Sequence, residues 1–323
     1  MKQKQDRRRF IKTGVATAAG ISVLSQTGTL TNAEKLFANV TRGTMPKRRL
    51  GKTGFDVSLF SLGGQSTIET PDKLDESVEI INRAIDLGVN YIDTAAAYGR
   101  GISEKYIGEV MKERRGEVFL ATKTHDRSYD GTMKLFEQSL KNLQTDHVDL
   151  YQVHNVRTQE DLDRMFADDG AMKAFEKLRD EGAVRFLGLS GHRDPKILKK
   201  AIEEYDYDCL LMALNAADIH HAPFQYELLD TAVKKELGII AMKIPARGRI
   251  FREDGITNME DALGYVYSFP ISTAIVGITT IDQLEENVQI TRNFEKFDSG
   301  KMKQIASLTE HYYEDASWYK MQW

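Results

Sequence analysis

Eight times between residues 57 and 291, a short apolar run is followed by a stretch whose apolar side chains recur with helical period. The runs span residues 57–62, 91–92, 118–121, 148–153, 184–189, 209–214, 239–242 and 274–276. The helical stretches that follow them span 72–87, 103–113, 132–143, 159–181, 196–204, 224–237, 259–268 and 282–291. In the first of these, Leu74, Val78, Ile81 and Ile85 fall on one face, and Gly88 stands where a helix ends. Strand, helix and next strand can only repeat in this way if the strands run parallel with right-handed crossovers. Eight such units in about 235 residues approach the roughly 250 of a (β/α)8 TIM barrel. The alternative, a doubly wound open sheet, lacks its phosphate loop: no Gly-x-Gly-x-x-Gly follows the first run, and there is no Walker-type lysine loop. An α/β barrel is the expected fold.

Four polar side chains stand where three of the apolar segments end. Asp93 and Tyr98 follow the second run, Lys123 the third and His154 the fourth. Each would be costly to bury alone. On parallel neighbours in a barrel they meet at the carboxyl-terminal rim, where barrel enzymes carry their chemistry. An acid, a phenol, an amine and an imidazole together make a proton-transfer site that needs no metal. A carbonyl receiving a hydride requires a proton and donors for its developing negative charge. Tyr98 can give the proton, with the Lys123 ammonium favouring its phenolate. Asp93 keeps Lys123 charged and aimed, and His154 donates a second hydrogen bond to the carbonyl oxygen. Taken singly, Asp93 reads as a helix cap, Tyr98 as a packed aromatic and His154 as a core histidine; a strand-end lysine such as Lys123 is harder to explain structurally.

The net charge of −4 gives no reason to expect nucleic acid, and no run of about 18 apolar residues suggests a membrane anchor. The one cysteine, Cys209, excludes a disulfide framework and a thiolate metal cluster. Residues 1–45 differ from the rest: a basic start is followed by a short, weakly apolar segment, as in a signal peptide and linker. Arg7-Arg8-x-Phe10-Ile11-Lys12 resembles a twin-arginine export signal, with small residues at Thr31-Asn32-Ala33 for cleavage. The expectation is an extracytoplasmic or periplasmic protein, carried out folded by the twin-arginine translocase. Residues 298–323 form an aromatic-rich extension that either caps the barrel or drapes over the site.

The sequence Tyr91-Ile92-Asp93-Thr94-Ala95-Ala96-Ala97-Tyr98-Gly99, followed by Ser103-Glu104 and Gly108, resembles the signature of the aldo-keto reductases. The likeness continues through Lys123, His154, Gly188-Leu189-Ser190 and Gln283-Leu284-Glu285-Glu286-Asn287, with Arg49-Leu50-Gly51-Lys52-Thr53-Gly54 similar to the family's opening hairpin. It covers residues 46–297. It implies a (β/α)8 barrel that reduces an aldehyde or ketone, or oxidises the alcohol, using NADP(H) or NAD(H). The family's tetrad maps onto Asp93, Tyr98, Lys123 and His154, with the tyrosine as general acid. A cofactor-binding sensor or auxiliary subunit without turnover is the alternative, which the intact tetrad disfavours.

The resemblance assigns cofactor contacts to Gly64, Gln65, Ser190, Asn215, Lys243, Pro245, Gly248, Thr279, Gln283, Glu286 and Asn287. Several depart from the family pattern. Gly191 replaces the asparagine after the serine, and Leu211 falls where a glutamine is expected, with Asn215 close enough to compensate. Lys243 or Arg247 can neutralise pyrophosphate charge. Gly277-Ile278-Thr279-Thr280 lacks the cation that meets a ribose 2′-phosphate, which weakens the expected preference for NADPH. Asp218, His220 and His221 read as a surface loop at the substrate mouth rather than a metal site.

Overall fold

The computed structural model describes residues 44–322. The twin-arginine-like leader with its cleavage segment, and Trp323, lie outside the described residues. Eight parallel strands close into a barrel: β3 (Phe60–Ser66), β4 (Tyr91–Asp93), β5 (Phe119–Thr124), β6 (Val148–Val153), β7 (Val184–Gly191), β8 (Cys209–Ala213), β9 (Gly238–Met242) and β10 (Thr273–Ile278), with β10 pairing back onto β3. This is the expected (β/α)8 architecture. Before it stands an antiparallel hairpin, β1 (Lys47–Arg49) with β2 (Asp56–Ser58).

Alternation along each strand sorts side chains to two cores. Outward residues pack against the helices. Inward ones form a separate interior cluster of Tyr91, Phe119, Ala121, Leu150, Cys209, Leu211, Ile240, Met242 and Ile275, to which the hairpin adds Leu50, Phe55 and Val57. The hairpin is therefore the floor of the barrel. Its turn lies against the start of β9, where the Lys52 amide donates to Glu236 O at 2.8 Å. This corrects the reading of residues 57–62 as one strand. Val57 and Ser58 belong to the hairpin and Phe60 onward to the barrel, because burial on both sides of Leu59 merges two strands into one apolar run.

The long helix expected over 159–181 is two helices, Gln159–Met165 and Ala171–Asp180. Gly170 separates them in an extended conformation, so close to the first helix that a Cβ would sit 2.4 Å from Met165 O. Arg164 and Asp169 pair across the break at 2.6 Å. Apolar periodicity continues through the break because both helices bury the same face, which hides it in the sequence.

The extension settles across the rim. Helix Ser299–Leu308 is followed by short helical turns that bury Tyr312, Trp318 and Tyr319. Tyr319 OH accepts from Asn215 Nδ2 at 3.1 Å, just past the end of β8, and the Lys243 ammonium lies 5.9 Å from the Tyr319 ring centre. Asp218 is not a surface residue: it is fully buried and paired with Lys320 from the extension. His220 Nε2 donates to Ala306 O (2.9 Å) and also lies 3.0 Å from Thr309 Oγ1. The expected surface loop is instead where the extension docks.

Candidate active site

Asp93 ends β4, Lys123 lies near the end of β5, His154 follows β6 directly, and Tyr98 sits in the turn after β4. The two-residue period places Tyr91 with Asp93, Ala121 with Lys123, and Leu150 with Gln152 and His154 on the inward face. Lys123 and Asp93 are wholly buried and joined as an ion pair. The same ammonium donates to Thr94 O at 2.6 Å and reaches Tyr98 OH at 3.4 Å. Asp93 Oδ2 accepts from Gln152 Nε2 at 3.1 Å and from Tyr91 OH at 3.5 Å. The His154 ring stands edge-on to Tyr98, centres 5.6 Å apart. The four strand-end groups thus meet, in the order Asp93, Lys123, Tyr98, His154.

Burial raises the Tyr98 phenol above its ordinary pKa, and the Lys123 charge offsets only part of this. Lys123 acts in the lowering sense expected of it, and the phenol stays protonated at neutral pH, as an acid must. Burial alone would lower Lys123, but Asp93 and Tyr98 outweigh it and the ammonium is held above its usual value. Burial also raises Asp93, with Lys123 and Gln152 acting in the opposite sense. His154 lies well below the usual imidazole range, first through burial and then through the neighbouring Lys123 charge. It is neutral, and available as a hydrogen-bond donor.

Beside the tetrad opens a cleft of about 870 Å³. Asp93 and Tyr98 line it, together with nine of the assigned cofactor residues: Gly64, Gln65, Lys243, Pro245, Gly248, Thr279, Gln283, Glu286 and Asn287. Three consecutive residues of the loop after β9, Ala246, Arg247 and Gly248, have left-handed φ of 46°, 56° and 86°. Nothing lies within 4 Å of where a Gly248 Cβ would be, so its backbone is open to a ligand. Such strain at non-glycine positions costs about 1–3 kcal/mol each and concentrates at binding sites. Opposite this loop, Thr280 caps helix Ile281–Arg292, accepting from the Gln283 amide at 3.3 Å, while Thr279 N donates to Gln283 Oε1 at 3.0 Å. A helix N-terminus, Lys243 and Arg247 around a cleft of this volume suit an anionic dinucleotide.

Ser190 and Asn215 are not brought into the cleft. Ser190 Oγ accepts from the Asn155 amide at 3.0 Å. Asn215 is fully committed, donating to Lys243 O at 2.9 Å and to Tyr319 OH while accepting from the Ala217 amide. It cannot compensate for Leu211, which points into the apolar interior. Gly191 has a packing cause: a Cβ there would lie 2.8 Å from both Val156 O and Leu198 Cδ2. Arg247 lines the cleft, whereas Arg249 pairs with Asp315 at 2.9 Å. Sequence reasoning missed Gln152, although strand alternation places it on the inward face with His154. It also missed Glu69 and Phe251 in the cleft wall, which lie in turns that carry no periodic signal.

A closed barrel with a buried acid, amine and phenol chain beside a dinucleotide-sized cleft defines an oxidoreductase. Residues 59–262 match the Aldo/keto reductase family, and the chain belongs to that family as an NAD(P)-dependent enzyme. It is 27% identical over 312 residues to an uncharacterized oxidoreductase of Bacillus subtilis, YqkF, covering 82% of this chain and 97% of that one. It is 25% identical over 311 residues to the L-galactose dehydrogenase of Arabidopsis thaliana, covering 81% and 94%. Among solved structures, the holo form of aldo-keto reductase AKR11C1 from Bacillus halodurans superposes with a TM-score of 0.70 at 26% identity, covering 82% of this chain and 96% of that chain.

Proposed function

We propose that this protein reduces an aldehyde or ketone, or oxidises the corresponding alcohol, with Tyr98 as the general acid and base. The observation that carries this reading is the continuous buried chain from Asp93 through Lys123 to Tyr98 OH. The nicotinamide cofactor supplies the hydride. Tyr98, protonated at neutral pH, delivers a proton to the carbonyl oxygen, and Lys123 stabilises the phenolate left behind. Asp93 holds the ammonium charged. His154, neutral, donates to the same oxygen and fixes its direction. Of the residues lining the cleft, Lys243, Arg247 and the Gly248 backbone would hold the pyrophosphate, and Gln283, Glu286 and Asn287 would hold the adenosine end. Glu286, with no cation in the 277–280 loop, supports acceptance of NADH alongside NADPH. The twin-arginine-like leader supports export of the folded, cofactor-loaded protein to an extracytoplasmic space, where free cofactor is scarce.

The test is a fluorescence titration with NADPH and NADH, then turnover of a panel of aldehydes, ketones and sugars by wild type and Tyr98→Phe. The variant should bind cofactor as wild type does and lose about 10²- to 10⁴-fold in turnover. Undiminished turnover would remove Tyr98 from its role. Cofactor binding without turnover of any substrate by the wild type would favour the sensor reading.

A further inference from the structure

We infer that Gln152 is a positioning residue for proton delivery: from β6 its side-chain amide holds the Asp93 carboxylate ionised and turned toward Lys123. Gln152 is wholly buried, and strand pairing sets it directly beside Lys123. Its Nε2 donates to Asp93 Oδ2 at 3.1 Å, leaving Oδ1 for the Lys123 ammonium. The other donor to Oδ2, Tyr91 OH, stands at the limit of hydrogen-bond range, at 3.5 Å. Gln152 is therefore the main neutral donor to this carboxylate.

Packing alone does not explain the amide. The barrel interior that its strand faces is apolar, with Leu150, Leu211, Ile240 and Ile275 among its members. Gln152 Oε1 is buried with no hydrogen-bond partner among the described residues, which costs about 1–3 kcal/mol. An aliphatic side chain would avoid that cost, so the amide is retained for its donor. That donor meets a specific need. A carboxylate removed from water tends to take up a proton, and a hydrogen bond to its charged form opposes this. If Asp93 became neutral, the Lys123 ammonium would lose its countercharge, and with it the stabilisation of the Tyr98 phenolate. The groups surrounding Asp93 are Lys123 from β5, Tyr91 on its own strand with Cys209 behind it, and Tyr98 from the next turn with Glu69 beyond. Of these, only Lys123 bears a positive charge; the next cation, Lys243, interacts with Lys123 and is not among the groups that act on Asp93.

The inference rests on the proposed reaction, and its test separates the two. The Asp93 carboxyl carbon is followed by NMR in aspartate-labelled protein as pH falls, assigned by its loss in Asp93→Asn. The rate of 4-nitrobenzaldehyde reduction is followed over the same pH range with saturating NADPH. In Gln152→Met, Asp93 should protonate about one pH unit higher than in wild type, and the acid limb of kcat should move with it. The KM for cofactor should stay within about twofold. Gln152→Glu keeps the shape but sets two carboxyls side by side to share a proton, and should move both readouts further. A carboxyl titration unmoved in Gln152→Met overturns the inference. So does a titration that moves while the rate profile does not, and so does failure of both variants to fold, which would make Gln152 a packing residue. A wild type that shows the titration but reduces no carbonyl overturns the proposed reaction and leaves the Gln152–Asp93 relation standing.

Discussion

The Lys320 ammonium closes on the Asp218 carboxylate with neither side chain reaching solvent. The same nitrogen donates to His221 O at 2.6 Å and Ala222 O at 3.0 Å, while Asp218 Oδ2 accepts from the Phe224 amide at 2.8 Å. The extension is thus fastened to the rim by a charge pair that water does not screen. Removing one partner strands the other, so Lys320→Met should cost about 3–5 kcal/mol, read as a lowered denaturant midpoint. Adding Asp218→Asn to that variant removes the stranded charge and should recover part of the loss. Equal loss in the single and double variants would show that the pair is not coupled.

Lys243 is lowered to about 8, first by burial and then by the Arg247 charge beside it. Below that pH the amine is charged and attracts an anionic cofactor; above it the attraction is lost. Cofactor affinity should weaken between about pH 7 and 9, by up to about tenfold per unit in the steepest part. Lys243→Met should bind weakly throughout and show no such slope. Dissociation constants measured by fluorescence across this range decide the matter. A slope that persists in Lys243→Met would assign it to another group.

Asp315 bridges Arg249 and Arg252, and Trp318 lies 5.8 Å from the Arg247 guanidinium and 5.0 Å from that of Arg249. The strained loop lining the cleft is therefore clamped by the extension. Exposed ion pairs contribute little to global stability, about 0–1 kcal/mol. Asp315→Ala should leave the melting temperature nearly unchanged and speed cofactor release several-fold in stopped-flow displacement. An unchanged release rate would separate the loop from the clamp.

Restoring the family's asparagine by Gly191→Asn should not improve cofactor binding. The new side chain meets the Val156 carbonyl and Leu198 at the end of β7, an overpacking that costs about 1–3 kcal/mol. Denaturation together with a cofactor titration measures both effects. A stable variant with tighter binding would mean that the rim relaxes around the added group.

The barrel and the tetrad were legible because both depend on strand ends. An apolar run that stops at Asp93, Lys123 or His154 marks the rim without reference to anything distant. Gln152 was legible in principle, since it shares the inward face of β6 with His154, but one amide within an apolar strand gives no hint of which carboxylate it meets. Asn215 and Asp218 were misread for the opposite reason: their partners, Tyr319 and Lys320, lie about a hundred residues away. The break at Gly170 was hidden because two helices burying one face look like one. The direction of the Tyr98 shift depended on how deeply the phenol is buried, which composition and spacing do not report.

The hairpin beneath the barrel has a consequence for traffic. With Leu50, Phe55 and Val57 packed into the floor, the interior is a blind well. Cofactor, substrate and product must all pass the same mouth, between the clamped loop and the docked extension. The described chain begins at the opposite, closed pole.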